Sequence, residues 1–170
     1  MKRRTFLQFI GLGAVTGLGG WLWTRYHDNR ALTTNEQLTL KAFLDTLIPA
    51  DDTPGAIDLD VHSRILAQAA RNAHYRRLVH AGCRTLDNLA LSSKSRPFHK
   101  LGLTPRDAVV HALVRSEGDK RHRFFDSTQR RAFHFYYSDP RSWPGVCYAG
   151  PPQPRGFTDY KQPPATSCQG

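Results

Sequence analysis

Thr33-Thr34-Asn35-Glu36-Gln37-Leu38-Thr39-Leu40-Lys41-Ala42-Phe43-Leu44-Asp45-Thr46-Leu47-Ile48-Pro49 is the stretch that decides the fold. It opens on two overlapping capping boxes, Thr33 with Glu36 and Thr34 with Gln37, in which a hydroxyl and a carboxyl or amide satisfy each other's backbone donors. Leu40, Phe43, Leu44, Leu47 and Ile48 then recur at helical spacing, and Pro49, which has no N–H to donate, ends the run. An amphipathic helix is predicted, with an apolar face that needs helical partners.

Those partners follow. Pro49-Ala50-Asp51-Asp52-Thr53-Pro54-Gly55-Ala56 is a turn-rich loop. Residues 58–91 carry Ile65, Leu66, Ala69, Ala73, Leu78, Val79, Cys83, Leu86 and Leu89 at near-helical recurrence, which predicts one long helix or two joined near Gly82. The polar Ser92-Ser93-Lys94-Ser95-Arg96-Pro97 breaks the pattern. Thr104-Pro105 then predicts an N-cap with proline at the first helical position, and Val109, Val110, Leu113 and Val114 give that helix its buried face. A last helix is expected over about residues 121–137, with Phe124, Phe125, Ala132, Phe133, Tyr136 and Tyr137 as its apolar positions. No segment alternates like a strand, so the fold class is all-α, a small helical domain over residues 31–139.

The two ends of the chain differ from this middle. Seven of the 11 prolines lie between Pro140 and Pro164, which forbids helix over most of residues 140–170 and predicts an irregular, extended arm. Ten of the 18 aromatic residues lie between Phe124 and Tyr160, so the arm is also sticky. Phe135, Tyr136, Tyr137, Trp143, Tyr148, Pro151, Pro152 and Phe157 are the candidate partner-docking residues; the alternative is that these aromatics fold back and complete the chain's own core.

At the other end, Met1-Lys2-Arg3-Arg4-Thr5-Phe6-Leu7-Gln8 sets paired arginines directly before Phe-Leu, and an uncharged stretch runs on to Trp23. Arg3, Arg4, Phe6 and Leu7 thus form a twin-arginine export signal resembling S-R-R-x-F-L-K, with Lys2 and Gln8 as departures, over residues 1–30. Five glycines keep the stretch less hydrophobic than an ordinary anchor. It is nevertheless long enough to span a bilayer, and no A-x-A cleavage site precedes Tyr26. The expected location is the periplasm, free or tethered to the outer face of the inner membrane, with the twin-arginine translocase as a partner.

The formal charge of +10 raises nucleic acid as a ligand. However, residues 1–30 hold five of the 24 basic residues and one of the 14 acidic ones, leaving +6 on the rest, dispersed in pairs at most. A solvated basic surface is the reading taken, with no nucleic-acid partner.

Cys83, Cys147 and Cys168 are too few for a disulfide scaffold, and none begins a haem-binding C-x-x-C-H. Cys147 and Cys168 share the irregular tail and an oxidising destination, so they are expected to pair, while Cys83 on an apolar helical face is expected to be a buried thiol. Asp58, Asp60 and His62 could converge on a metal only in a loop. On a helix they diverge by about 200° per step, so capping is the reading for Asp58 and Asp60, and no metal site is assigned. No G-x-S-x-G elbow, H-E-x-x-H or dinucleotide-binding turn occurs, so neither catalytic residues nor a cofactor are expected in this chain.

The loop after the first helix, Pro49 to Ala56, resembles the "IPADxxxPGA" signature of the gluconate 2-dehydrogenase subunit 3 family. The segment Phe135-Tyr136-Tyr137-Ser138-Asp139-Pro140, Trp143 and then Tyr148 to Phe157 is similar to that family's closing "YYSxPxxWxxxGYxGPPQPxGF". Val146-Cys147 departs from the Leu-Gly that precedes the tyrosine there. The resemblance implies an all-helical, non-catalytic small subunit of a membrane-associated dehydrogenase that oxidises sugars, sugar acids or polyols. FAD and the chemistry would reside in a large subunit lacking its own signal, a multihaem cytochrome c subunit would be a further partner, and this chain would assist maturation and export. The different-class alternative is a free-standing periplasmic or membrane-tethered interaction module.

Overall fold

The computed structural model describes residues 30–115 and 119–148. Among them the fold is all-α, with helices α1 (Thr34–Leu47), α2 (Val61–Arg71), α3 (Ala73–Lys94), α4 (Leu103–Arg115) and α5 (Asp119–Tyr137). Short 3-10 turns cover Phe98–Lys100 and Pro140–Val146.

The first capping box forms as its sequence dictates. Thr33 Oγ1 accepts from the Glu36 N–H, and the Glu36 carboxylate accepts from the Thr33 N–H at 2.9 Å. Gln37 does not build the second box; its side-chain amide donates to Leu32 O instead.

Helix α3 is the hub, in contact with each of the other four α-helices. Helix α1 feeds two cores from opposite sides. Leu40 and Leu44 pack with Ile65, Val79, Cys83 and Ala132, while Phe43 packs with Leu86, Phe98, Val109, Leu113 and Phe124. The Phe43 and Phe124 rings lie 5.2 Å apart between centroids. Each fully buried side chain of this size contributes about 1.5–3 kcal/mol through area removed from water, so truncating Phe124 to Ala would cost about 3–5 kcal/mol. Asp87 links the second core's rim, accepting from Thr39 Oγ1 at 3.0 Å and from the Phe98 N–H at 3.0 Å.

Three expectations from sequence are corrected. The 58–91 stretch breaks at Asn72, not near Gly82, because Asn72 leaves helical geometry and its Oδ1 caps α3 by accepting from the Tyr75 N–H at 2.9 Å. Gly82 stays inside α3 because the ring of Phe124 rests on it: a Cβ there would sit 2.2 Å from ring atoms. Helix α4 begins at Leu103, not after Thr104; Gly102 O accepts the first helical bond, from the Arg106 N–H, so Pro105 falls within the first turn, where no donor is required of it. The tail is not extended throughout, since Pro140–Val146 coils into a 3-10 turn with Pro140 in its first turn.

Asp58 and Asp60 do not cap α2 through their side chains. Asp58 accepts from the Gly55 N–H at 2.8 Å, and Asp60, at the N-cap with φ 55°, accepts from Ser63 Oγ. No group of three or more His, Cys, Asp or Glu residues gathers with metal-site geometry among the described residues.

Candidate functional site

The loop after α1 is closed on itself. The Ala56 N–H donates to Ile48 O at 2.9 Å, which ties its two ends together. Asp51 Oδ1 accepts from both the backbone N–H and the hydroxyl of Thr53 at 2.8 Å, and these bonds hold the Asp51 carboxyl below its ordinary value. Gly55 is required by close approach, because a Cβ there would lie 2.6 Å from Ala50 N. Ala56 and Leu59 then plunge into the first core, so the loop is anchored at its exit.

Onto this loop folds the end of α5 and the turn after it. Tyr136 OH donates to Pro54 O at 3.0 Å, a bond spanning 82 residues of sequence. Gly145 lies against Thr53, where a Cβ would meet Thr53 Cγ2 at 2.7 Å. Arg64 of α2 donates to Phe135 O at 3.4 Å and stands over the Phe135 ring. The opening signature segment and the described part of the closing one, residues 135–148, are therefore neighbours in space.

The turn itself is rigid for identifiable reasons. Asp139 caps it by accepting from the Arg141 N–H at 3.0 Å, and grips the Arg141 guanidinium through both carboxylate oxygens at 3.0 and 2.8 Å. The hydrogen bonds from Arg141, side chain first, hold the Asp139 carboxyl down at about 2 and push the guanidinium up. Buried Ser142 donates its hydroxyl to Asp139 O at 2.9 Å. Trp143 Nε1–H donates to Tyr137 O at 3.0 Å, and the Trp143 and Tyr148 rings meet edge to face at 5.1 Å. Cys147 closes the turn in the left-handed region at φ 53° and is disulfide-bonded.

The candidate docking residues are thus divided by the structure. Tyr136 is only 6% exposed, spent on the first core and on Pro54, and Phe135 is half-buried against the same core. For those two the fold-back reading holds, because α5 turns that face inward. Tyr137 and Tyr148 stand out at 47% and 45% exposed, and Trp143 is half-buried between them. Phe133, assigned to the helix's apolar face by pattern, is exposed and 6.2 Å from the Tyr137 ring; Val146 is exposed as well. Phe133 was legible as the residue four before Tyr137, one turn away on the same face. Arg3, Arg4, Phe6, Leu7, Pro151, Pro152, Phe157 and Cys168 lie outside the described residues.

A second polar node escaped sequence reasoning. Buried His80 lies with Nδ1 2.9 Å from Glu36 Oε1 and Nε2 3.1 Å from Arg30 O. Arg30 also donates to Glu36 at 3.3 Å. Burial alone would raise the Glu36 carboxyl, but the hydrogen bonds from His80 and Thr33 outweigh it and hold the group below its ordinary value. This node fixes where the chain enters the domain from its N-terminal segment. Cys83 is the buried thiol expected, donating to Glu36 O at 3.4 Å. Burial, reinforced by the negative charges of Glu36 and Asp87, pushes that thiol far up, which makes it a poor nucleophile.

The described residues thus form an all-helical domain that carries one closed loop and one aromatic turn side by side. The family model described as gluconate 2-dehydrogenase subunit 3 matches residues 34–145, from the first residue of α1 to within the Pro140–Val146 turn. The chain belongs to the gluconate 2-dehydrogenase subunit 3 family. It is accordingly a small, accessory subunit of a gluconate 2-dehydrogenase-type complex. No curated protein and no solved structure matched the chain.

Proposed function

We propose that this chain is the maturation and export subunit of a heteromeric FAD-dependent dehydrogenase acting on a sugar, sugar acid or polyol. It binds the catalytic flavoprotein subunit through the surface formed by the 48–56 loop and residues 133–148. FAD and the chemistry lie in that partner, and this chain holds no cofactor and no catalytic residue. The Arg3-Arg4 signal directs the folded pair to the twin-arginine translocase and so to the periplasm, where a multihaem cytochrome c subunit receives the electrons.

The observation that supports this reading most is the meeting of the two signature segments. Loop and tail are held together by Tyr136 and by the Gly145–Thr53 contact, yet Tyr137 and Tyr148 on the same surface remain uncovered. Exposed tyrosines on a rigid support offer large contact area at small entropic loss.

Replacing Tyr137 and Tyr148 together by Ala tests it. Both side chains are about half exposed and each keeps a ring contact, so stability should fall by no more than about 0.5–1.5 kcal/mol per site. Co-purification of the flavoprotein subunit from the native host should weaken by about 2 kcal/mol or more, roughly thirtyfold. Undiminished co-purification would show that this surface is not the contact.

A further inference from the structure

A basic groove lies between the N-terminal half of α3 and the middle of α5, and none of its lining residues belongs to the loop-and-turn surface. It has a volume of about 330 Å³, with Tyr75 in its lining beside Arg123, Arg130 and Arg131 and a single carboxylate, Asp126. A neighbouring hollow shares Asn72, Tyr75 and Arg131 and adds Arg71. Arg131 is fixed in place: its guanidinium stacks 4.1 Å from the centroid of the Tyr75 ring, and it donates to Ser127 O at 2.9 Å and to Ser127 Oγ.

Arg130 lines the groove and Arg71 the neighbouring hollow, while Arg77, which lines neither, lies three residues along α3 from His74 of the groove lining; all three are exposed and make no ion pair or hydrogen bond among the described residues. Their planar donor forks are therefore unspent, in a shape that matches phosphate oxygens. Gathering such charges around a held guanidinium is electrostatically unfavourable until an anion is bound.

The groove is also placed relative to the chain's entry. His74, Arg77 and Arg84 recur along one exposed stripe of α3, three and seven residues apart. Arg84 Nε comes within 3.8 Å of Glu36, beside the node where Arg30 enters. His74 lies six residues along α3 from His80, the node's own residue, or about 9 Å of helix. The apolar segment ends at Trp23, seven residues before Arg30, a reach of at most about 25 Å.

We infer that this groove, with Arg130 in its lining, Arg71 in the adjoining hollow and Arg77 on the α3 turn next to His74, binds the phosphates of anionic phospholipid headgroups, seating the domain on the membrane that holds the apolar segment. This rests on the expectation from sequence that the segment tethers the domain to the inner membrane, one of the two locations given for it above. The groove shares no lining residue with the proposed docking surface.

The test uses the full-length chain and a variant carrying Arg71→Gln, Arg77→Gln and Arg130→Gln. Each is titrated with vesicles of phosphatidylcholine alone and of phosphatidylcholine mixed equally with phosphatidylglycerol. Binding to neutral vesicles reports the apolar segment; the ratio between the two vesicle types reports the groove. The wild type is expected to prefer anionic vesicles by roughly fivefold per arginine, about a hundredfold over three, and to lose most of that preference in the variant and in high salt.

An unchanged ratio in the variant, or no anionic preference in the wild type, overturns the proposal. Full suppression of the preference by soluble glycerophosphate would assign the groove to a free phosphate ligand instead, and overturns it too. Because no dehydrogenase is present in the vesicle titration, its outcome is independent of whether the carrier role is correct.

Discussion

Tyr136→Phe removes one hydroxyl, keeps the ring in the first core, and cuts the hydrogen bond that α5 makes to the 48–56 loop at Pro54 O. A neutral hydrogen bond contributes about 1 kcal/mol net, and an acceptor left without a partner costs about 1–3 kcal/mol when fully buried. Pro54 is only partly buried, so water can replace part of the bond, and the loss should be about 1–2 kcal/mol. For a domain of this size that lowers the midpoint of thermal unfolding by about 5 °C. Far-UV circular dichroism gives the midpoint. Hydrogen exchange gives the location: the Ala56 N–H, which closes the loop on Ile48 O, should exchange faster, while N–H groups in the middle of α3 change only as global stability changes. The flavoprotein should also bind less tightly, because the loop is half of the proposed contact. An unchanged midpoint together with unchanged exchange at Ala56 would refute the argument that Tyr136 holds the two signature segments together.

Three further outcomes follow from particular contacts. Gly82→Ala places a methyl in the volume of the Phe124 ring and should destabilise by about 1–3 kcal/mol or more in a chemical denaturation curve; a neutral result would mean that α3 and α5 approach less closely than described. The Asp139 carboxyl is held at about 2, below the usual carboxylate value of about 4. Its contribution to the Pro140–Val146 turn is therefore complete above about pH 4 and is lost as pH falls through about 2. Trp143 fluorescence, read in a chain with Trp21 and Trp23 changed to Phe, should follow that window, and Asp139→Asn should remove the transition. Cys147 and Cys168 are proposed as a disulfide pair, and peptide mapping of exported protein without reductant should recover them linked; recovery of both as free thiols would dismiss the pairing.

The fold was legible wherever a local rule acted alone. Thr33 and Glu36 announced the start of α1 because a capping box needs only four consecutive residues, and Pro49 announced its end. Local rules failed where a distant side chain overrode them. Gly82 looks like a break because glycine weakens helices, yet Phe124, 42 residues later, occupies the space that its missing side chain leaves. Asn72 was the true break, and its capping role becomes visible only once the chain turns there. In the site, Tyr136 and Tyr137 are chemically alike and adjacent, but a helix points them about 100° apart, one to Pro54 and one to solvent. Sequence marked both signature segments and could not say that they touch, since that contact depends on how α2 and α5 pack. The His80–Glu36–Arg30 node was hidden for the same reason: its members come from α3, α1 and the residue that precedes the domain.

The claim that this subunit carries a partner out of the cytoplasm is tested most directly by the location of that partner. Changing Arg3 and Arg4 together to Lys keeps the charge and removes the paired guanidinium groups. Cell fractionation of the native host, probing for the large flavoprotein subunit, should then find it retained in the cytoplasm, whereas with the unaltered chain it should reach the periplasm. Normal arrival of the flavoprotein in the periplasm alongside the double-Lys chain would contradict the account.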